Sequence, residues 1–61
     1  MKPGDLVKDM ADGEIGLVMG ISPEWTPEGS AYLVKYPSYR DLIEVPAWSE
    51  SAGWVKIISK A

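Results

Sequence analysis

The aromatic residues are the side chains in this sequence most suited to recognition chemistry, because each joins an apolar ring to a polar atom. The 61 residues include three Trp, three Tyr and no Phe. Side chains of this kind are enriched where one end is buried and the other meets a partner. Trp25, Tyr39 and Trp48 fall in segments that resemble loops, and Glu24 and Glu28 flank Trp25. We expect an aromatic surface with an acidic rim that binds a basic or apolar protein segment. For Trp25, folding back over the domain is an equally weighted alternative.

Catalysis and metal binding are disfavoured by the residue types that the sequence lacks. It has no His and no Cys, and therefore lacks the commonest general base, the thiol nucleophile and the usual zinc, haem and iron–sulfur ligands. Asp9, Asp12 and Glu14 do not have the ligand spacing of an EF-hand, and we interpret all three as turn residues. We expect no enzyme activity, no metal site and no cofactor.

The cations provide the alternative hypothesis. The net charge is -3, from six basic and nine acidic residues, which weighs against affinity for phosphate backbones. Lys8, Lys35, Arg40 and Lys56 could still follow a single strand of nucleic acid, together with Tyr39, if the fold aligned them on one face. Otherwise they form an ordinary solvated surface.

Short apolar runs separated by Gly and Pro predict an all-β chain. Five strands are expected, over residues 5–8, 14–22, 31–36, 41–45 and 54–58. A single 3₁₀ turn is expected within residues 47–53, before the last strand. The prolines in residues 23–30 predict a long irregular loop after strand 2.

Gly16 and Gly20 lie inside the longest predicted strand, where glycine usually marks a bend or a close approach of backbones. We expect this strand to coil so that residues 1–61 form a single domain, an SH3-like five-stranded barrel without exposed sheet edges. The predicted core consists of apolar strand residues: Leu6, Val7, Ile15, Val18, Ile21, Tyr32, Val34, Ile43, Val45, Val55 and Ile57.

The stretches PGDLV and DGEIGLV, followed by Ile21, resemble the KOW-type pattern of small SH3-like barrels. The matching residues are Gly4, Asp5, Val7, Gly13, Gly16, Val18 and Ile21. The ending VPAWSESAGWVKIIS is similar to the closing segment of short SH3-like proteins of tailed bacteriophages. KOW modules that bind RNA carry Lys or Arg around the first turn, where this chain has acidic residues. The resemblance therefore implies the fold, and favours a protein partner over nucleic acid.

Together these patterns predict a small non-catalytic binding module, a phage accessory protein that contacts another protein through residues 23–30 and its aromatic surface. The alternative is a KOW-like module associated with nucleic acid, and a homo-oligomer that buries its own aromatics is a third possibility. Residues 1–5 lack the apolar core of a signal peptide, and no run approaches membrane-spanning length. We expect a cytoplasmic location, in the host cell if the protein is phage-encoded.

Overall fold

Five strands and one 3₁₀ turn make up the fold in the computed structural model, which describes the backbone of residues 1–26 and 29–61 and the side chains of residues 1–22 and 31–61. The strands are β1 (Leu6–Asp9), β2 (Ile15–Thr26), β3 (Gly29–Lys35), β4 (Ile43–Pro46) and β5 (Val55–Ser59), and the 3₁₀ turn spans Ala47–Ser49. All pairings are antiparallel, in the order β4-β3-β2-β1-β5. The all-β prediction and the 3₁₀ turn before the last strand are confirmed.

The sheet is open between its two outer strands. β4 pairs with β3 and β5 pairs with β1, and within the described residues no ladder joins β4 to β5. A closed barrel is therefore not confirmed. Each outer strand keeps one edge whose backbone groups take no part in the sheet.

The long loop predicted after the second strand is wrong for the residues that the structure describes there. β2 continues through Thr26 and β3 already begins at Gly29. Pro23 prompted the loop prediction, because proline cannot donate to a ladder. In the structure the β2–β3 register is irregular between Ser22 and Thr26, which is where a strand tolerates proline.

The core lies on one face of the sheet and is built mainly from valines. Five of the predicted core residues are buried: Val7, Val18, Val34, Val45 and Val55. Three more are partly buried and pack against them: Tyr32, Ile43 and Ile57. Tyr36, which we had not included in the predicted core, completes the cluster. This part of the prediction is largely confirmed.

Leu6, Ile15 and Ile21 were also predicted as core, and the structure leaves all three exposed. Ile15 lies on the face opposite Gly16 and Val18, since successive strand residues point to opposite sides. The β2–β3 register shifts between Val18 and Gly20, which indicates a bulge at this point of β2. Beyond the bulge Ile21 is opposite Tyr32, yet it remains 49% exposed.

A buried carboxylate connects the two ends of the described chain. Asp5 is only 2% exposed. Its two oxygens accept hydrogen bonds from the backbone N–H of Ala61, at 2.8 Å, and of Lys2, at 3.0 Å. The hydrogen bond from Ala61 is the largest influence on the Asp5 carboxyl and lowers its pKa, outweighing the effect of burial. We call this arrangement the Asp5 clamp.

Candidate binding cleft

A cavity of about 690 Å³ opens between the two edges of the sheet. One wall is formed by residues 43–46 of β4, and the other by Trp54 and Val55 at the start of β5. Residues 9–11, Tyr36 and Tyr39 line its remaining sides, with Ser49 and Gly53. Its volume falls within the range typical of ligand-binding clefts, and we call it the seam cleft.

Two aromatic pairs border the seam cleft. The rings of Tyr36 and Tyr39 meet edge to face, with centroids 6.3 Å apart. The rings of Trp48 and Trp54 do the same, with centroids 4.8 Å apart. Of the residues predicted to bind a partner, Tyr39 therefore lines the cleft directly, and Trp48 reaches it through its contact with Trp54.

Backbone hydrogen bonds hold the tryptophan pair in place. The Trp54 N–H donates to the Ser49 carbonyl at 2.9 Å, and the Ala52 N–H donates to the Trp48 carbonyl at 3.0 Å. Gly53 provides the left-handed conformation (φ +84°) that this reversal requires. The Trp54 carbonyl in turn accepts from the Met10 N–H at 2.9 Å. The backbone that carries the two indoles is thus tied to the residue after β1, although the Trp54 side chain is 59% exposed.

The turn that carries Tyr39 is fixed from β2 and β3. The Ser38 N–H and hydroxyl donate to the two carboxylate oxygens of Glu14, at 2.8 and 2.7 Å. The Lys35 ammonium donates to the carbonyls of Tyr36 and Tyr39. Glu14 was interpreted above as a turn residue, and the structure corrects this: it links the start of β2 to the turn after β3.

The other two acidic residues of that group do serve the first turn. Asp9 accepts from the Ala11 N–H at 2.8 Å, and Asp12 accepts from the Glu14 N–H at 2.9 Å. Gly13 has the positive φ of +78° that the Asp-Gly pair predicted. Among the described residues, no group of three acidic side chains is placed to hold a metal ion.

Tyr36 lines the seam cleft and also holds a buried, unpaired polar atom. The residue is 3% exposed, and its hydroxyl has no hydrogen-bond partner among the described residues. Burial raises the pKa of the Tyr36 hydroxyl, and the negative charges of Asp9, Asp12 and Glu14 raise it further. The hydroxyl therefore stays protonated at neutral pH. A buried donor without a partner is costly, and in a native protein it calls for an explanation.

The electrostatic character of the seam cleft is acidic. Asp9 and Glu44 are the charged side chains among its lining residues, and neither Lys nor Arg contributes to that lining. A cationic group of a partner would therefore meet carboxylates and aromatic faces together, and both attract it.

The remaining predicted site residues are placed elsewhere or are not described. The side chains of Glu24 and Trp25, and Glu28 entirely, lie outside the described residues. Lys8, Lys35 and Lys56 share the sheet face opposite the core, and Arg40 lies in the connection between β3 and β4.

Trp54 and Tyr36 line the cleft but were not among the residues predicted to bind a partner. Two Trp residues separated by a Ser- and Gly-containing segment could have suggested the Trp48–Trp54 pair. No pattern in the sequence points to the unpaired hydroxyl of Tyr36.

Comparison of the chain with the models of known protein families, with curated proteins and with solved structures finds no match. The resemblance to KOW-type and phage SH3-like proteins therefore stays a prediction. Among the described residues no helix is long and apolar enough to cross a membrane. The case for a function thus depends on the geometry of the seam cleft.

Proposed function

We propose that this chain is a non-catalytic protein-binding module of SH3-like architecture, which holds an extended, basic segment of another protein in the seam cleft. The observation that carries the proposal is the composition of the cleft, where two aromatic pairs meet the acidic residues Asp9 and Glu44. Aromatic faces and carboxylates both attract the cationic side chains of a basic segment.

The side chains around the cleft support a protein partner. Tyr and Trp are the residues that most often dominate binding energy at protein interfaces, and Tyr39, Trp48 and Trp54 are all exposed here. The hydrogen bonds described above hold their backbone in place before any partner arrives, which reduces the entropy lost on binding.

The free edge of β4 supports an extended conformation of the bound segment. β4 pairs only with β3 within the described residues, and its four residues form one wall of the cleft. An added strand could take its main-chain hydrogen bonds from this edge and place alternate side chains against the aromatic pairs. The carboxylates of Asp9 and Glu44 favour Lys or Arg in that segment.

The biological setting that fits this proposal is a phage accessory protein acting in the host cytoplasm, as the resemblance of the closing segment implies. Residues 23–30, with Trp25, would extend the same contact. Neither point is needed for the chemistry of the cleft.

The test uses short extended peptides of equal length, one set basic and apolar and the other acidic and apolar. Binding is followed by the fluorescence anisotropy of labelled peptides, so that the readout does not depend on the tryptophan that is replaced. We expect the basic set to bind, and Trp54→Ala or Tyr39→Ala to weaken binding by about tenfold or more, as for a central interface residue. Met19→Ala removes an exposed apolar side chain outside the cleft and is the matched control. Failure of the basic set to bind, or an undiminished affinity for it in the cleft variants, would refute the proposal.

A further inference from the structure

The sheet face opposite the core exposes a patch of large aliphatic side chains. Register places Leu6 of β1 directly beside Leu17 of β2, with Ile15 two residues along the same strand. Met19 follows at the bulge, and Ile58 of β5 lies at the register shift between the Leu6–Ser59 and Val7–Ile57 pairs. All five are exposed. An apolar surface continuous over three strands is uncommon on a monomeric protein and marks an interaction site. We call it the outer face.

The same outer face carries three lysines at paired positions. Lys8 is opposite Lys56 on one side and Ile15 on the other, and Lys35 is opposite Leu17. Like charges directly opposite one another destabilise a sheet, and the Lys8–Lys56 pair is such a position. Glu44, opposite Leu33 on the same face, offsets one of these charges, and the Lys35 ammonium is bonded to the carbonyls of Tyr36 and Tyr39. Lys8 and Lys56 therefore remain as a positive pair beside Leu6 and Ile15.

Three kinds of partner could cover the outer face: a second copy of this chain, a strand of nucleic acid, or a segment of another protein. A second copy placed face to face would bring six lysines together, which opposes a symmetric dimer. A nucleic acid strand would use aromatic side chains for stacking, and the outer face presents aliphatic ones. An acidic and apolar protein segment complements both the charge and the apolar surface.

We propose that the outer face binds an amphipathic helix of a partner protein, one whose apolar stripe is flanked by Asp and Glu. A helix is favoured over a strand because it satisfies its own backbone hydrogen bonds. The backbone of β1 and β2 is already paired on both sides, so this face offers only side chains. The proposal does not depend on the seam cleft, which is acidic and faces elsewhere, and the two can fail separately.

The experiment uses two labelled helical peptides of about 18 residues with the same leucine stripe at helical spacing. One peptide carries Glu beside the stripe and the other carries Lys. Binding to the full chain is measured by fluorescence anisotropy. We expect the Glu peptide to bind, and Leu17→Ser and Lys56→Glu each to weaken it by about tenfold. Arg40→Glu makes the same charge change as Lys56→Glu but lies away from the outer face. We expect it to change the affinity for the Glu peptide by less than about twofold.

Folding of the variants is checked separately by circular dichroism. Leu17 and Lys56 are both exposed, so their variants are expected to fold. Failure of the Glu peptide to bind overturns the proposal, as does binding of the Lys peptide that Leu17→Ser weakens equally. Single-stranded DNA that displaces the peptide with a steep salt dependence would assign the face to nucleic acid instead. A dimer detected by light scattering and lost in Leu17→Ser would assign it to self-association.

Discussion

Gly16 sits where β2 comes closest to the core, and replacing it with alanine should destabilise the protein substantially. A Cβ atom at this position would lie 2.6 Å from Val34 Cγ1, and 2.7 and 2.8 Å from two ring carbons of Tyr36. Both neighbours are buried, so neither can move aside freely. Overpacking of this kind costs about 1–3 kcal/mol. For a domain of this size we expect the midpoint of thermal unfolding to fall by roughly 5–20 °C.

Gly20, on the same strand, provides the matched control. A Cβ atom there would approach only Leu33 Cδ1, at an ordinary contact distance of 3.9 Å, and the backbone has no positive φ. Alanine should then stabilise by about 0.4–1 kcal/mol, because it restricts the unfolded chain. The midpoint should rise by roughly 2–6 °C.

Thermal and urea unfolding of both variants, followed by circular dichroism, tests the reasoning. The urea slope should stay constant, so that a change in midpoint reports stability alone. If Gly16→Ala unfolds at the wild-type temperature, the close approach of Val34 and Tyr36 is wrong. If both variants lose stability equally, glycine is needed at both positions for strand curvature, and contact with the core is not the reason.

Three further predictions concern single side chains. Tyr36→Phe removes the unpartnered hydroxyl and should raise the free energy of unfolding by up to about 1 kcal/mol in urea titration; a loss of stability would mean that the hydroxyl has a partner. Asp5→Asn should lower the thermal midpoint at neutral pH. The folded pKa of Asp5 lies below its ordinary value of 3.8, so the carboxylate stabilises the fold above that pH and loses this effect as the pH falls further. The midpoints of the wild type and the variant should therefore converge in acid. A difference in midpoint that stays constant with pH would contradict this. Lys56→Glu replaces the repulsion with Lys8 by attraction and should raise the midpoint by about 1–6 °C, and an unchanged midpoint would show that the two ammonium groups do not interact.

The number and order of the strands could be predicted because their boundaries are set locally. Gly13 and Pro37 interrupt the chain by backbone rules that apply in any fold. The same local reasoning failed at Pro23, because the irregular register that accommodates it is a property of the β2–β3 pair. Local sequence therefore indicates the number of strands more reliably than where each of them ends.

The choice of buried face on β2 could not be made from sequence. A period of two residues leaves two candidate faces, one with Ile15 and Leu17, the other with Gly16 and Val18. Hydrophobicity favours the first, but the structure buries the second because the Tyr36 ring packs against Gly16. That contact joins residues 20 positions apart, and no local pattern encodes it.

The candidate site, like the fold, could be predicted from the sequence only in part. Tyr39 and Trp48 were predicted from their residue type and loop position, and both lie at the seam cleft. The contribution of Trp54 depends on hydrogen bonds around Gly53, and that of Tyr36 on the absence of a neighbour for its hydroxyl. Both are properties of the packed molecule.

The Asp5 clamp determines how this fold would respond to mechanical force. Residues 1 and 61 emerge from the same end of the β1–β5 pair, where Leu6 is opposite Ser59. Tension applied between them would peel the two strands apart one hydrogen bond at a time, and shear of the whole ladder at once would not occur. The hydrogen bond between Asp5 and Ala61 would rupture first. The domain should therefore unfold at low force when it is pulled through residues 1 and 61, and at higher force when it is pulled through other positions.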